Sequence, residues 1–277
     1  MSNDELMAFS GNIARKRFGQ HWLKDESILD KILAAAELEA CDRVLEVGPG
    51  KGALTFRLLN SKVSLVHAIE LDRDLVDGLK KRFSNYHQFY LTEGDALSVP
   101  LLQVDGTACT KVVANIPYNI TGPLLGRLIG RLEKPPETIY QRLVILLQRE
   151  VADRILAKPG DSNFSSLSVR IQLLAKCKNV CLVPPHCFKP VPKVYSKVII
   201  IEPFAKERVL DSATSKKVDI LLKTAFLSRR KMLRNSLSAL NSFPEIKIAA
   251  KDGGINLERR PQELSPDEWV HLTQGLS

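Results

Sequence analysis

Arg43-Val44-Leu45-Glu46-Val47-Gly48-Pro49-Gly50-Lys51-Gly52 is the stretch on which the reading of this chain turns. An apolar, β-branched run feeds directly into a glycine-rich turn, and the residues from Ala53 onward are helix-periodic. Glycines at such a turn remove Cβ atoms, so the backbone can take positive φ and approach a ligand closely. Gly48, Gly50 and Ala53 satisfy the G-x-G-x-x-G/A pattern of nucleotide-binding loops. Glu70 ends the next apolar run about twenty residues later. An acid there can accept both hydroxyls of a ribose. At this point nicotinamide-type and S-adenosylmethionine-type cofactors are both open.

Outward from that loop, the first two hundred residues alternate short β-branched runs with longer helical patterns, the rhythm of a mostly parallel sheet covered on both faces. The patterns predict strands over Arg43–Val47, Leu65–Leu71, Phe89–Glu93, Lys111–Ala114, Leu143–Gln148 and Val198–Ile201. They predict helices near Glu26–Leu38, Ala53–Asn60, Asp74–Phe83, Gly122–Leu132 and Glu150–Ala157, and a further strand within Arg170–Val183. After Pro203 the chain becomes charged and helix-periodic, with Pro244 and Gly253-Gly254 separating short helices. The expected organisation is an α/β domain over 1–204 and a small helical domain over 205–277.

The chain has 277 residues, 44% of them hydrophobic, and a formal net charge of +9. Between Ala205 and Arg234 nine basic residues face three acidic ones, so thirty residues hold two-thirds of the excess. That concentration favours a polyanionic partner. Five cysteines, an odd number, argue for a reducing compartment. Cys177, Cys181 and Cys187 lie beside His186, but their spacings lack the paired knuckle of zinc sites, so buried thiols and no metal are expected. No apolar run approaches a membrane span, and Met1–Ser10 does not read as a secretory signal.

Two further motifs narrow the chemistry. Gly94-Asp95-Ala96 follows the third predicted strand, where a carboxylate can accept a hydrogen bond from an adenine amino group. The fourth ends in Asn115-Ile116-Pro117-Tyr118. An exocyclic adenine amine is a poor nucleophile because its lone pair is delocalised into the ring. Acceptors for its N–H groups favour the pyramidal form that can attack a sulfonium methyl. The Asn115 side-chain oxygen suits that task, and a main-chain carbonyl at Ile116 or Pro117 supplies a second acceptor, held by the rigid proline. Tyr118 offers a flat face for a purine, worth roughly 1–3 kcal/mol. A nicotinamide-dependent oxidoreductase would leave this motif unexplained. The fold expected is therefore a Rossmann-like class I S-adenosylmethionine methyltransferase sheet with a small C-terminal helical domain.

With these motifs the chain closely resembles the bacterial ribosomal RNA adenine dimethyltransferase family, often called the KsgA or RsmA family. The likeness runs from Phe18-Gly19-Gln20-His21-Trp22-Leu23 through Glu46-Val47-Gly48-Pro49-Gly50, Ile69-Glu70-Leu71-Asp72, Gly94-Asp95-Ala96 and Asn115-Ile116-Pro117-Tyr118-Asn119. It continues in Phe188-Lys189-Pro190-Val191-Pro192-Lys193-Val194, Arg229-Arg230-Lys231-Met232-Leu233-Arg234-Asn235 and Arg260-Pro261. The resemblance implies dimethylation of N6 on two adjacent adenosines in the 3′-terminal hairpin loop of 16S rRNA, within the 30S subunit during ribosome biogenesis. It implies S-adenosyl-L-methionine as cofactor, no membrane, a monomer, and a cytoplasmic setting or a plastid stroma.

By the same resemblance His21 and Leu23 bracket the cofactor, Gly48 and Gly50 line its methionine end, Glu70 holds the ribose and Asp95 the adenine. Asn115, Pro117 and Tyr118 carry the chemistry, and Phe188 faces Tyr118 across the target base. Arg229, Arg230 and Lys231 grip phosphates, with Arg15-Lys16-Arg17 adding to them. Position 21 is often Asn in the family and position 22 often Phe; here they are His and Trp. The nearest alternatives are the related large-subunit (23S) rRNA methyltransferase and a non-catalytic nucleic-acid-binding relative of the same fold.

Overall fold

The computed structural model describes residues 20–101, 106–134, 136, 140–205 and 210–276. Arg15-Lys16-Arg17, and Lys206 and Arg208 of the basic segment, lie outside the described residues. The chain divides into two compact units. The first comprises Met1–Ile129, Pro136–Ala152 and Lys178–Pro203, and the second Gly130–Pro135, Asp153–Cys177 and Phe204–Ser277.

A seven-stranded sheet organises the first unit. Its strands are β2 (Arg43–Val47), β3 (Leu65–Glu70), β4 (Phe89–Glu93), β5 (Lys111–Asn115), β6 (Arg142–Gln148), β7 (Ala175–Val183) and β9 (Ser196–Pro203). They lie in the order β4-β3-β2-β5-β6-β9-β7. β4, β3, β2, β5 and β6 run parallel, and β9 returns antiparallel to β6 with Gln148 opposite Ser196. The central strands are buried along almost their whole length, which accounts for their near-continuous apolar runs. Before them, β1 (Trp22–Leu23) pairs with β8 (Phe188–Lys189) as a separate two-stranded ribbon.

Helices α1 (Glu26–Ala36), α2 (Ala53–Leu59), α3 (Arg73–Arg82) and α4 (Thr121–Leu128) follow β1, β2, β3 and β5. Asp25 caps α1 by accepting from the Ile28 N–H at 3.1 Å, and α1 buries Ile28, Leu29, Ile32 and Ala36. At the start of β5, Lys111 is buried yet satisfied. Its Nζ lies 2.7 Å from Asp42 and donates to the Glu37 carbonyl at 2.5 Å. Burial costs that little because both charges are paired and hydrogen-bonded.

Five predicted strands agree with the structure to within a residue at each end, and β9 extends two residues further each way. The segment Arg170–Val183 differs. Its first part is helical, in α6 (Ser166–Leu174), which follows α5 (Arg149–Leu156), and only from Ala175 does it become the strand β7. Ser165 and Ser168 form a capping box that starts α6, with the Ser165 N–H donating to Ser168 Oγ at 2.9 Å. Val169, Ile171 and Leu174 are then buried at helical spacing.

The division into units also departs from one cut near residue 204. Phe164, Val169 and Leu174 join the core of the helical unit, alongside Leu222, Leu233, Ile246 and Trp269. Their apolar side chains therefore draw 153–177 into that unit. Its remaining helices are α7 (Ser212–Phe226), α8 (Leu233–Ser236), α9 (Phe243–Asp252) and α10 (Pro266–His271). Asp211 caps α7 through the Ala213 and Thr214 N–H groups at 2.9 Å each. Trp269 is wholly buried and packs on Phe226 with ring centroids 5.9 Å apart. Trp269→Ala is expected to destabilise this unit by about 3–5 kcal/mol. Thermal melting checks this; a midpoint within a degree of wild type would show that the indole is not the centre of the core.

Candidate active site

A cleft of about 340 Å³ opens at the C-terminal ends of the parallel strands, the place where open α/β sheets bind ligands. Its walls come from the loops after β2 (Val47, Gly48, Gly50), β3 (Ile69, Glu70, Leu71), β4 (Gly94, Asp95, Ala96) and β5 (Asn115–Ile120), with Gln20, His21 and Trp22 from the N-terminal segment.

The glycine loop bends as the motif requires. Gly48 and Gly50 hold φ of 69° and 59°, values that side-chain-bearing residues rarely adopt. A Cβ on Gly50 would lie 2.7 Å from Trp22 Cδ1, so the indole packs where only glycine leaves room. Lys51 Nζ sits 4.5 Å from the centre of the Trp22 ring. Glu70 Oε2 accepts from the Gly50 N–H at 3.1 Å and Oε1 from the Asp72 N–H at 2.9 Å. Burial raises the Glu70 pKa, and these backbone bonds oppose the rise. Asp95 Oδ1 accepts from the Leu97 N–H at 2.9 Å, fixing the turn after β4.

Beyond β5 the geometry becomes specific. Asn115 Nδ2 donates to the His21 carbonyl at 3.0 Å, so its Oδ1 is the acceptor end that remains. The Pro117 carbonyl accepts from the Ile120 N–H at 3.2 Å. The Tyr118 hydroxyl and Ser196 Oγ share a 2.6 Å hydrogen bond; burial raises the Tyr118 pKa and this bond opposes it. The His21 ring stacks on Tyr118, with centroids 5.6 Å apart and planes 25° from parallel. His21 Nδ1 lies 2.9 Å from the Pro190 carbonyl. Among the described residues no cluster of three His, Cys, Asp or Glu is placed to hold a metal ion, and the five cysteines are free thiols.

Over residues 11–276 the chain matches the family described as Ribosomal RNA adenine dimethylase. The chain belongs to that family. It is 62% identical to the Ribosomal RNA small subunit methyltransferase A of Prochlorococcus marinus (strain MIT 9313), covering 98% of this chain and 97% of the relative. The namesake from Parasynechococcus marenigrum (strain WH8102) is 59% identical over 98% and 90%. Among solved structures it is similar to a dimethyladenosine transferase from Plasmodium falciparum, at a TM-score of 0.75 and 29% identity, covering 91% of this chain and 96% of that one. The 23S rRNA methyltransferase ErmE gives a TM-score of 0.70 at 25% identity, covering 91% and 97%.

Within this dimethylase fold the structure brings His21, Gly48, Gly50, Glu70, Asp95, Asn115, Pro117 and Tyr118 to one cleft. Leu23 and Phe188 do not line it. They are opposite each other in the β1–β8 ribbon, and both side chains are in the core. Phe188 has no exposed surface, so the ring that faces Tyr118 is His21 instead. Arg229, Arg230 and Lys231 lie in the turn between α7 and α8 rather than on a helix. Arg229 Nη2 donates to the Ser162 carbonyl at 2.7 Å, tying the turn to that loop, and Arg229, Arg230 and Lys231 are all exposed. Gln20, Trp22 and Ser196 are site residues that motif reading missed. The first two sat in a quoted motif; nothing in the sequence marked Ser196.

Glu46, one residue before the end of β2, has no place in the chemistry but carries a consequence of burial. It is 1% exposed, and burial, aided by nearby Glu70, pushes its pKa from 4.5 up to about 8 against an opposing bond from Thr55. A folded-state value above the unfolded one contributes stability below about pH 4.5 that is lost as pH rises through about 8. Glu46→Gln should therefore melt near wild type at pH 5 and above it at pH 9. Parallel melting curves across that range would remove the assignment.

Proposed function

We propose that the protein dimethylates N6 of two adjacent adenosines in the 3′-terminal hairpin loop of 16S rRNA, in the assembling 30S subunit, with S-adenosylmethionine as methyl donor. The observation that carries this is Asn115, whose amide is oriented by the His21 carbonyl in the cleft that Gly48, Glu70 and Asp95 also line. Family membership and 62% identity to a small-subunit enzyme support the choice over a large-subunit substrate.

The residues present fit the cofactor. Main chain at Gly48 and Gly50, uncovered by any Cβ, lines its methionine end, and main chain at His21 brackets it. Glu70 accepts from the ribose hydroxyls with the lone pairs that Gly50 and Asp72 leave, and Asp95 receives the adenine amine. When bound, the cofactor supplies a methyl group on a positively charged sulfur.

Asn115 Oδ1 accepts one N–H of the target amine. The Ile116 carbonyl accepts the other, since the Pro117 carbonyl is engaged by Ile120. Together they turn the nitrogen toward a pyramidal form and aim its lone pair. Tyr118 offers the stacking face for the base, with the His21 ring packed beside it. No strong base is required, because the proton can leave after transfer; catalysis rests on positioning and preorganised acceptors.

The target base must be in a loop or flipped out to reach this cleft. Arg230 and Lys231 in the helical unit hold phosphates, and Arg229 holds their turn. The reading takes the protein as a monomer, and five free thiols suit a reducing compartment such as cytoplasm or a plastid stroma. No described helix is long and apolar enough to cross a membrane.

Labelled S-adenosylmethionine incubated with under-methylated small subunits, and with large subunits in parallel, tests the assignment. N6,N6-dimethyladenosine confined to small-subunit RNA is the expected product. Label in the large subunit would transfer the enzyme to the other substrate class, and none in either would leave a binding protein. Asn115→Ala should lower transfer roughly a hundredfold or more while its melting point stays close to wild type. Near-normal turnover would end the role given to that side chain. Arg230→Glu should weaken RNA binding and reduce its salt dependence, whereas Arg229→Glu should chiefly lower the melting temperature. Equal effects of the two on RNA affinity would contradict the division.

A further inference from the structure

The segment 190–196 is pinned at both ends to the active site. At one end the Pro190 carbonyl meets His21 Nδ1 at 2.9 Å; at the other, Ser196 Oγ meets the Tyr118 hydroxyl at 2.6 Å. Between the pins Pro192 is buried, but Val191 (62%), Val194 (43%) and Tyr195 (45%) are exposed, as is Lys193. Tyr195 is held firmly despite its exposure. Its carbonyl accepts from the Arg149 N–H at 2.9 Å, and the Arg149 guanidinium lies 5.9 Å from its ring centre. Positions 188–197 contain three lysines and no acid; the neighbouring acid on α5 is Glu150.

A rim that joins an exposed, immobilised aromatic to cations, with no acid of its own, has the makings of a single-strand nucleic-acid platform. Bases stack on such rings whatever their sequence, and lysines meet the backbone charge. Resting on the methyl-transfer reading above, we infer that this loop is the subsite for the nucleotide flanking the target adenosine. Tyr195 stacks the flanking base, and Arg149 and Lys193 neutralise its phosphates. The two pins make the subsite a positioning device. A nucleotide seated on Tyr195 bears on Ser196 and Pro190, and through them on the Tyr118 and His21 rings beside the target.

The test uses the full chain with under-methylated small subunits and, separately, a synthetic hairpin RNA of the proposed substrate loop at low salt. Tyr195→Ala should lower kcat/KM on subunits roughly five- to a hundredfold, through KM, and weaken hairpin binding by a similar factor. Cofactor affinity and melting temperature should not move, and Tyr195→Phe, which keeps the ring, should behave as wild type. Lys193→Glu should reduce the slope of log affinity against log salt by about 1. Unchanged hairpin binding and kcat/KM in Tyr195→Ala would overturn the inference. So would a loss on subunits with none on the hairpin, because the loop would then meet a ribosomal protein. Should the wild type transfer nothing to small subunits, the reading of function fails instead, and the hairpin comparison still decides the loop.

Discussion

Glu70 ties two loops together, and the rest of the cleft depends on that tie. A carboxylate 6% exposed is expensive to bury unless its oxygens are hydrogen-bonded. Here each oxygen accepts one backbone N–H, from Gly50 at the turn after β2 and from Asp72 at the turn after β3. The tie explains why the glycine loop must bend as it does, since positive φ at Gly48 and Gly50 brings that N–H round to the next strand. It also explains Trp22. With the loop held and no Cβ at Gly50, the indole lies against backbone, and the segment that carries His21 is set down beside the sheet.

From there the dependence passes to the acceptor. Asn115 closes β5, and its amide donates to the carbonyl of His21, a residue 94 positions earlier. Tyr118 is restrained by Ser196, 78 positions later. Three distant parts of the chain are thus tied together past the end of β5, through the Asn115–His21 and Tyr118–Ser196 hydrogen bonds. Such preorganisation matters more here than acidity, because the reaction needs an amine aimed and not deprotonated.

The parallel sheet was legible because buried parallel strands are written as unbroken apolar runs; the bounds of β2 and β4 were read to the residue. The cleft was legible because its backbone requirements select residue types: glycine for positive φ, acids at strand ends, proline after Asn115. What escaped reading was decided by tertiary packing. Phe188 sits in a motif that reads as a base-contacting wall, but its pairing opposite Leu23 sends the ring into the core. Arg229 reads as a phosphate grip because a charge run shows no partners, and the carbonyl of Ser162 is 67 residues away. Lys111, first residue of a predicted strand, forms a buried ion pair with Asp42 that no motif marked. The helical half of 170–183 was hidden by β-branched residues that suit either state.

Adding a second methyl to the same nitrogen constrains this site beyond the first transfer. The unmodified amine brings two N–H groups, and both Asn115 Oδ1 and the Ile116 carbonyl can be satisfied. After one transfer a single N–H remains, so one acceptor loses its partner and a methyl must occupy space where a proton had been. A site built on a strong base would be indifferent to that change in shape but would gain nothing from it. A site built on two acceptors stays productive only if the surviving N–H keeps to the acceptor that aims the lone pair. Of the two, Asn115 is the one locked by another element of the protein, through the His21 carbonyl. The Ile116 carbonyl is main chain at the turn that leads into Pro117 and Tyr118. Under the proposed roles, the second transfer draws on the asymmetry between a side-chain acceptor held fast by another element and a main-chain acceptor at a turn.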